Sequence, residues 1–269
     1  MHRSYLYAPG HNAKLLDRVF RAGADAVVLD LEDAVPVAAK ETARAMVAAT
    51  LEERPAWVRV NAVGTCFCEG DLDAVAGRAL GIRLPKVESA EDAQWVADRL
   101  PGTPLICAVE SARGVLAAAE IASVDAVRSL SFGSADFSHD LHCGQGNLQT
   151  LYVRSHLAVV SRAAGLEPPV DTVYPHTEDL GTLRDQAEFA RSLGFFGKSV
   201  IHPRQLPVVH AVFTYSDEEV AWAHEVVGAF ERSGGEALRL PNGEFVGAPI
   251  ADRARRLLER ARALGVQTA

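Results

Sequence analysis

Eight short apolar runs alternate with helix-like segments along this chain, and no other feature restricts its fold as much. The runs are SYLYA (4–8), DAVVLDL (25–31), AWVRVN (56–61), GIRLPKV (81–87), PLICAVE (104–110), AVRSLSFG (126–133), PPVDTVY (168–174) and FFGKSVIHP (195–203). Each is nearly continuous in apolar character, as strands buried on both faces of a parallel sheet are. Between them lie helix-like stretches such as KLLDRVFRAG, AAKETARAMVAATLEE and AEDAQWVADRL. Eight strand–helix units in about 230 residues predict a (β/α)8 TIM barrel. A doubly wound open sheet is the alternative. It usually carries a glycine-rich turn after its first strand, and APGHNAK is not one. The segment SGGEALRLPNGEFVG (233–247) predicts a turn and short hairpin, and APIADRARRLLERARAL an amphipathic helix. The expected division is a barrel over 1–232 and a C-terminal hairpin-and-helix extension over 233–269, packed on the barrel or on a neighbouring subunit.

Charge and composition narrow the function classes. The net charge is −8, with no basic run and no aromatic–basic interleaving, which argues against nucleic acid as a partner. Local arginines can still bind phosphorylated ligands. No apolar stretch approaches the roughly 20 residues of a membrane helix, and MHRSYLYAPG lacks a signal-peptide core. The expectation is a cytoplasmic protein without a membrane partner. Cys66, Cys68, Cys107 and Cys143 form no paired metal pattern and read as free thiols.

In a (β/α)8 barrel the site is built at the C-terminal ends of the strands. That filter retains Asp30, Glu32 and Asp33 after the second run, Arg59 and Asn61 at the third, and Lys86 and Glu88 at the fourth. It also retains Glu110, Asp136, Asp171 and His202 at the later ones. Carboxylates dominate. Three acids at the end of the buried run AVVL repel one another, so the position needs a physical reason. A hard divalent cation is one, because magnesium takes oxygen ligands and often only one or two protein carboxylates. An acid/base pair is another. Arg59 favours the cation, since a guanidinium beside a metal suits a substrate carboxylate. A plainer reading is that the acids cap the following helices. GFFGKS (194–199) lacks the first glycine of a phosphate loop and precedes a strand. The HDLHCG loop is too cramped for a zinc site.

The segments RSYLYAPG, GADAVVLDLEDAV, RVNAVGT, LPKVES, AVESARGVLAAAEIA, FGSADF and GKSVIHPRQ, in this order, resemble the citrate lyase β-subunit-like group of the HpcH/HpaI aldolase superfamily. The resemblance implies a (β/α)8 barrel, commonly trimeric or hexameric, that cleaves or forms a C–C bond next to a thioester using Mg2+. It implies Glu110 and Asp136 as metal ligands and Arg59 as the group that holds the keto-acid carboxylate. It places Glu32 and Asp33 close to the metal, holding its waters, and the N–H groups of Gly133, Ser134 and Ala135 toward substrate oxygens. The implied partners are small molecules: an acyl-CoA, or a keto acid such as glyoxylate, pyruvate or oxaloacetate. One position departs from the family pattern. A C-terminal aspartate that serves proton transfer at a neighbouring subunit's site is matched here by Gly247 of NGEFVGAPI, with Glu244 three residues earlier. Three functions therefore stand open: an acyl-thioester lyase, an aldolase for a CoA-free 2-hydroxy or 2-keto acid, and a non-catalytic metal- or keto-acid-binding paralogue.

Overall fold

The computed structural model describes residues 1–266. Seven strands form one parallel sheet: β1 (Ser4–Pro9), β2 (Ala26–Asp30), β3 (Trp57–Arg59), β4 (Gly81–Leu84), β5 (Leu105–Val109), β6 (Val127–Phe132) and β7 (Lys198–Val200). Their order is β6-β5-β4-β3-β2-β1-β7, so successive strands are neighbours and β7 returns beside β1. This sequential order excludes the doubly wound alternative, in which the strand order reverses. Tyr5, Val28, Trp57, Ile106 and Val170 form one buried apolar cluster contributed by several strands.

The expected strand over 168–174 is the one that the structure reduces. Pro168 and Pro169 have no N–H and cannot donate to a ladder. Pairing starts only at Val170 and Asp171, as isolated parallel bridges to Ser131 and Lys198. Val170 still donates to Leu130 at 2.9 Å and Asp171 to Gly197 at 2.9 Å, so this segment reaches both edge strands.

Helices follow the strands, and their starts are locally encoded. Ser89 and Asp92 form a reciprocal capping box on the helix Ala90–Arg99. Ser111 caps the helix Ala112–Leu116 through the N–H of Gly114. Ser111 also donates to Glu88 at 2.6 Å, which ties that strand-end acid to a helix start. Gly10 ends β1 with its N–H 2.8 Å from the Asp30 carbonyl. A Cβ at this position would lie 2.8 Å from that same oxygen, so the close approach of the two strand ends requires glycine.

The chain divides into two compact units, the first ending at His210 and the second beginning at Ala211. The boundary expected at 232/233 falls inside the second unit. That unit holds the helices Asp217–Arg232 and Ala248–Ala263 and an antiparallel hairpin, β8 (Leu238–Arg239) and β9 (Phe245–Val246). Ala251, Ala254, Leu258 and Ala261 line one face of the terminal helix and pack with Val220, Ala223 and Val226. Small alanines let the two helices approach closely. The last three residues of the expected extension lie outside the described range. Among the described residues no helix is long and apolar enough to cross a membrane.

Candidate active site

The acids of the DLED loop separate by role. Asp30 is 1% exposed. It accepts the N–H groups of Glu32 at 3.0 Å and Ala34 at 3.2 Å, which fixes the turn after β2. It caps no helix, since the N-caps of the following helical segments are Pro36 and Ala39, neither with a side-chain hydrogen bond. It also takes two nitrogens of Arg59, Nε and Nη2, each at 2.7 Å. Asp30 and Arg59 are register partners on β2 and β3, which aligns the two side chains. The remaining nitrogen, Nη1, lies 2.9 Å from Glu32 and 3.6 Å from Asp33. Lys86 meets the same two acids at 2.5 and 3.3 Å. Two cations thus compensate three carboxylates. Burial nevertheless pushes the Glu32 carboxyl above its ordinary value. For Asp33, burial pulls upward too, but Arg59 and Lys86 outweigh it and hold the group below the usual range.

The loop backbone is pinned from beneath. Buried Lys40 donates to the carbonyls of Leu31 at 2.6 Å and Glu32 at 2.7 Å, and to Asn61 at 2.7 Å. Asn61 donates onward to Leu31 and Asp71, and Arg44 pairs with Asp71 at 3.0 Å. With its carbonyls fixed, the loop cannot relax by moving its acids apart. Lys40 and Asp71 lie on helices, so a filter confined to strand ends misses them.

Glu110 follows β5, and Asp136 lies in the first turn of the helix Ser134–Leu141. Both line a cavity of about 740 Å³, together with Asp30, Asp33, Arg59 and Arg83. Glu110 accepts the backbone N–H of Lys86 at 2.6 Å. Lys86 has a φ of 52°, in the left-handed region that residues with a Cβ seldom occupy. Such a backbone stores about 1–3 kcal/mol of strain. Here it lets one residue serve Glu110 through its N–H and Glu32 through its ammonium. Burial, with Asp136 and Glu32 nearby, pushes Glu110 up to about 7. Gly133 makes room for this carboxylate, since a Cβ there would lie 2.1 Å from Glu110 Oε2.

These groups fit a hard divalent cation. Glu110 is a buried acid whose main electrostatic neighbours are further acids, and every donor is oxygen. Among the described residues no group of three or more His, Cys, Asp or Glu side chains is arranged to hold a metal. A pair of carboxylates completed by water and substrate oxygens is a magnesium arrangement rather than a zinc one.

Two expected substrate contacts are already engaged. The N–H of Gly133 donates to Val109 at 3.2 Å and that of Ser134 to the Thr172 hydroxyl at 3.2 Å. The expectation for residues 133–135 therefore narrows to Ala135, which lines the cavity in a helical first turn whose N–H groups lack intrahelical acceptors. His202 accepts the N–H of Arg204 through Nδ1 at 3.2 Å, as a capping residue. Asp171 and Lys198 are fully buried and paired at 2.5 Å, and Arg154 joins Asp171 at 3.0 Å. Their chain neighbours Thr172 and Ser199 line the cavity. Strand alternation therefore turns Asp171 and Lys198 away from it.

Comparison with known proteins identifies the family. A family model described as HpcH/HpaI aldolase/citrate lyase matches residues 3–203, and one described as a C–C bond lyase of the TIM-barrel fold matches residues 155–266. The citrate lyase subunit beta of Escherichia coli (strain K12) is 34% identical over 288 residues, covering 98% of this chain and 95% of that protein. A (3S)-malyl-CoA thioesterase of Cereibacter sphaeroides (strain ATCC 17025 / ATH 2.4.3) is 36% identical, covering 97% of this chain and 95% of that protein. Among solved structures, protein CitE from Mycobacterium tuberculosis in complex with magnesium, acetoacetate and coenzyme A superposes with a TM-score of 0.84 at 32% identity. That match covers 96% of this chain and 97% of CitE. Together these matches span nearly the whole chain, and the protein belongs to the HpcH/HpaI aldolase/citrate lyase family as a citrate lyase β-subunit-like member.

Proposed function

We propose that this chain is a magnesium-dependent carbon–carbon lyase. It would cleave a 3-hydroxyacyl thioester of the citryl, malyl or citramalyl type to a 2-keto acid and an acetyl thioester, or run the reverse. The observation that carries the reading is Glu110, held beside other acids in the cavity and pushed up to about 7. The relatives support it: CitE binds magnesium, acetoacetate and coenzyme A, and a citrate lyase β subunit from the same organism is complexed with oxaloacetate and magnesium.

Glu110 and Asp136 would hold the metal, which would supply Lewis-acid polarisation of the thioester's 3-oxygen, the 2-oxygen of the keto acid. Arg59 takes the substrate carboxylate, and its longest contact, 3.6 Å to Asp33, is the one a substrate would replace. Glu32 and Lys86 keep Arg59 and the DLED loop in position. In cleavage the 3-hydroxyl gives its proton to water, the C2–C3 bond breaks as the C3 oxygen becomes the keto group of the 2-keto acid, and the electron pair leaves as the thioester enolate. That enolate then takes a proton at carbon. Gly247 carries no acid for this last transfer, so water or another residue supplies it. Gly247 is also what favours the second reading, an aldolase for a CoA-free keto acid.

Segment 169–172 would close the sheet into an eight-membered barrel, a reading supported by its hydrogen bonds to both edges. We infer a cytoplasmic homotrimer or hexamer, which light scattering on the purified protein tests.

The deciding experiment incubates the protein and Mg2+ with malyl-, citramalyl- and citryl-CoA and follows the products by mass spectrometry. Acetyl-CoA with a matching keto acid supports the lyase. Intact thioesters, with retained Mg2+-dependent keto-acid binding, shift the conclusion to the CoA-free aldolase.

A further inference from the structure

Arg83 lies within β4, in a stretch whose four residues are all buried. It is 4% exposed and lines the cavity. The sheet register sets Asp30, Arg59 and Arg83 side by side on β2, β3 and β4. Parallel register partners point to the same face, so this is a row of one negative and two positive groups. Asp30 neutralises Arg59. Arg83 has no carboxylate within ion-pair distance among the described residues. Its one hydrogen bond runs from Nη2 to the Ser199 hydroxyl at 3.3 Å, and its Nη1 is buried with no partner. The rings of Tyr5 and Tyr7, at 5.0 and 5.7 Å, compensate part of the charge.

A buried guanidinium without an anion is strongly disfavoured. The same chain shows what a structural arginine looks like: buried Arg154 has its own aspartate at 3.0 Å. Arg83 instead lines, with one nitrogen buried and unpaired, a cavity that also holds the proposed carboxylate-binding Arg59. A planar fork with free N–H groups matches a carboxylate. Ser131, Thr172 and Ser199 also line the cavity, so further hydroxyls are available to such a group.

We propose that Arg83 and Ser199 form an anion subsite that takes the second carboxylate of a dicarboxylic 2-keto acid, or the corresponding group of its acyl thioester. This rests on the lyase or aldolase reading above and narrows it. Arg59 takes the carboxylate next to the keto group, and Arg83 takes the one at the far end. Keto acids with one carboxylate leave Arg83 unpaired and bind more weakly.

Calorimetry in Mg2+ with freshly prepared oxaloacetate and with pyruvate tests the assignment. The wild-type protein is expected to prefer oxaloacetate by about 10- to 100-fold, the range for a hydrogen bond to a charged group. Arg83→Met and Arg83→Gln should abolish that preference, with pyruvate affinity as the internal control. Equal wild-type affinity for the two acids overturns the subsite and leaves the lyase reading intact. Binding of neither acid overturns the keto-acid reading itself. Circular dichroism checks folding. If neither Arg83 variant folds, Ser199→Ala decides, and an undiminished oxaloacetate preference in it overturns the proposal.

Discussion

Glu110 and Asp171 are both buried acids near strand ends, and their surroundings push them in opposite directions. Asp171 is enclosed, yet Lys198 and Arg154 overcome the effect of burial and hold its carboxyl below the ordinary range. Glu110 is enclosed among Asp136 and Glu32, and both burial and these neighbours push it up to about 7. The first acid has its cations inside the chain. The second has mainly acids for neighbours, which is what the proposed metal would offset. Burial alone does not separate Asp171 from the proposed metal ligand Glu110; the sign of the surrounding charge does.

This contrast predicts different failures. The largest effect is expected at Asp171, where Asp171→Ala leaves Lys198 and Arg154 buried without an anion. Removing one partner of such a cluster costs about 3–5 kcal/mol of stability, readable by urea unfolding. A loss below 1 kcal/mol would break the comparison. Glu110→Gln should do the reverse. It abolishes Mg2+ binding and lowers lyase turnover by on the order of 100-fold or more, while thermal stability without metal holds or rises.

The pH dependence carries the same signature. A carboxyl raised in the folded state stabilises below its unfolded value, here near 4.5, and loses that contribution as pH rises through about 7. Metal-free protein should therefore gain stability through Glu110 as pH falls from 8 toward 5. Asp171 has the opposite sign: its contribution is present above 3.8 and lost as pH falls below that value through its depressed folded pKa. Melting curves with EDTA, for the wild type and Glu110→Gln, separate the two. A wild-type profile identical to that of the variant between pH 5 and 8 would discard the Glu110 assignment. Because the ligand must be deprotonated, Mg2+ should stabilise more at pH 8 than at pH 6.

Gly133→Ala places a methyl where Glu110 Oε2 lies. It should weaken Mg2+ affinity by about 10- to 100-fold, the range for groups that orient a ligand, and the 2.6 Å approach to the Glu110 Cβ should cost about 1–3 kcal/mol of stability. The smallest effect is expected at Gly247, the residue that starts the helix Ala248–Ala263. A Cβ there meets only ordinary contacts, 3.6 Å to Phe245 and 3.9 Å to Pro249. Gly247→Asp should add a few tenths of a kcal/mol as a better N-cap. A marked destabilisation would show that the position rejects an acid.

Much of this was legible in the chain itself. Apolar runs and helical spacing specify strands and helices because backbone geometry repeats locally, and parallel strands need helical crossovers. The strand-end filter selected Glu110, Asp136, Arg59, Asp30 and Asp33 for the same reason, and the structure gathers these around one cavity. The reduced strand after Pro168 was also written locally, in two residues without N–H groups.

Tertiary structure decided what those residues do. Sequence order shows neither that Asp30 engages two nitrogens of Arg59 nor that Lys86 turns left-handed to serve two acids. The engagement of the Gly133 and Ser134 N–H groups was equally hidden. Asp171 and His202 passed the strand-end filter, yet the first is turned to a buried ion cluster, and the second lines the cavity while its Nδ1 accepts the N–H of Arg204. Arg83 looked like an ordinary residue in an apolar run until the register placed it beside a neutralised Arg59 with no acid of its own. The physical reason is common to all of these. Local propensity acts over a few residues, whereas a charge is balanced by whatever the fold brings within a few ångströms, from 17 positions away for Arg154 and Asp171 to 54 for Glu32 and Lys86.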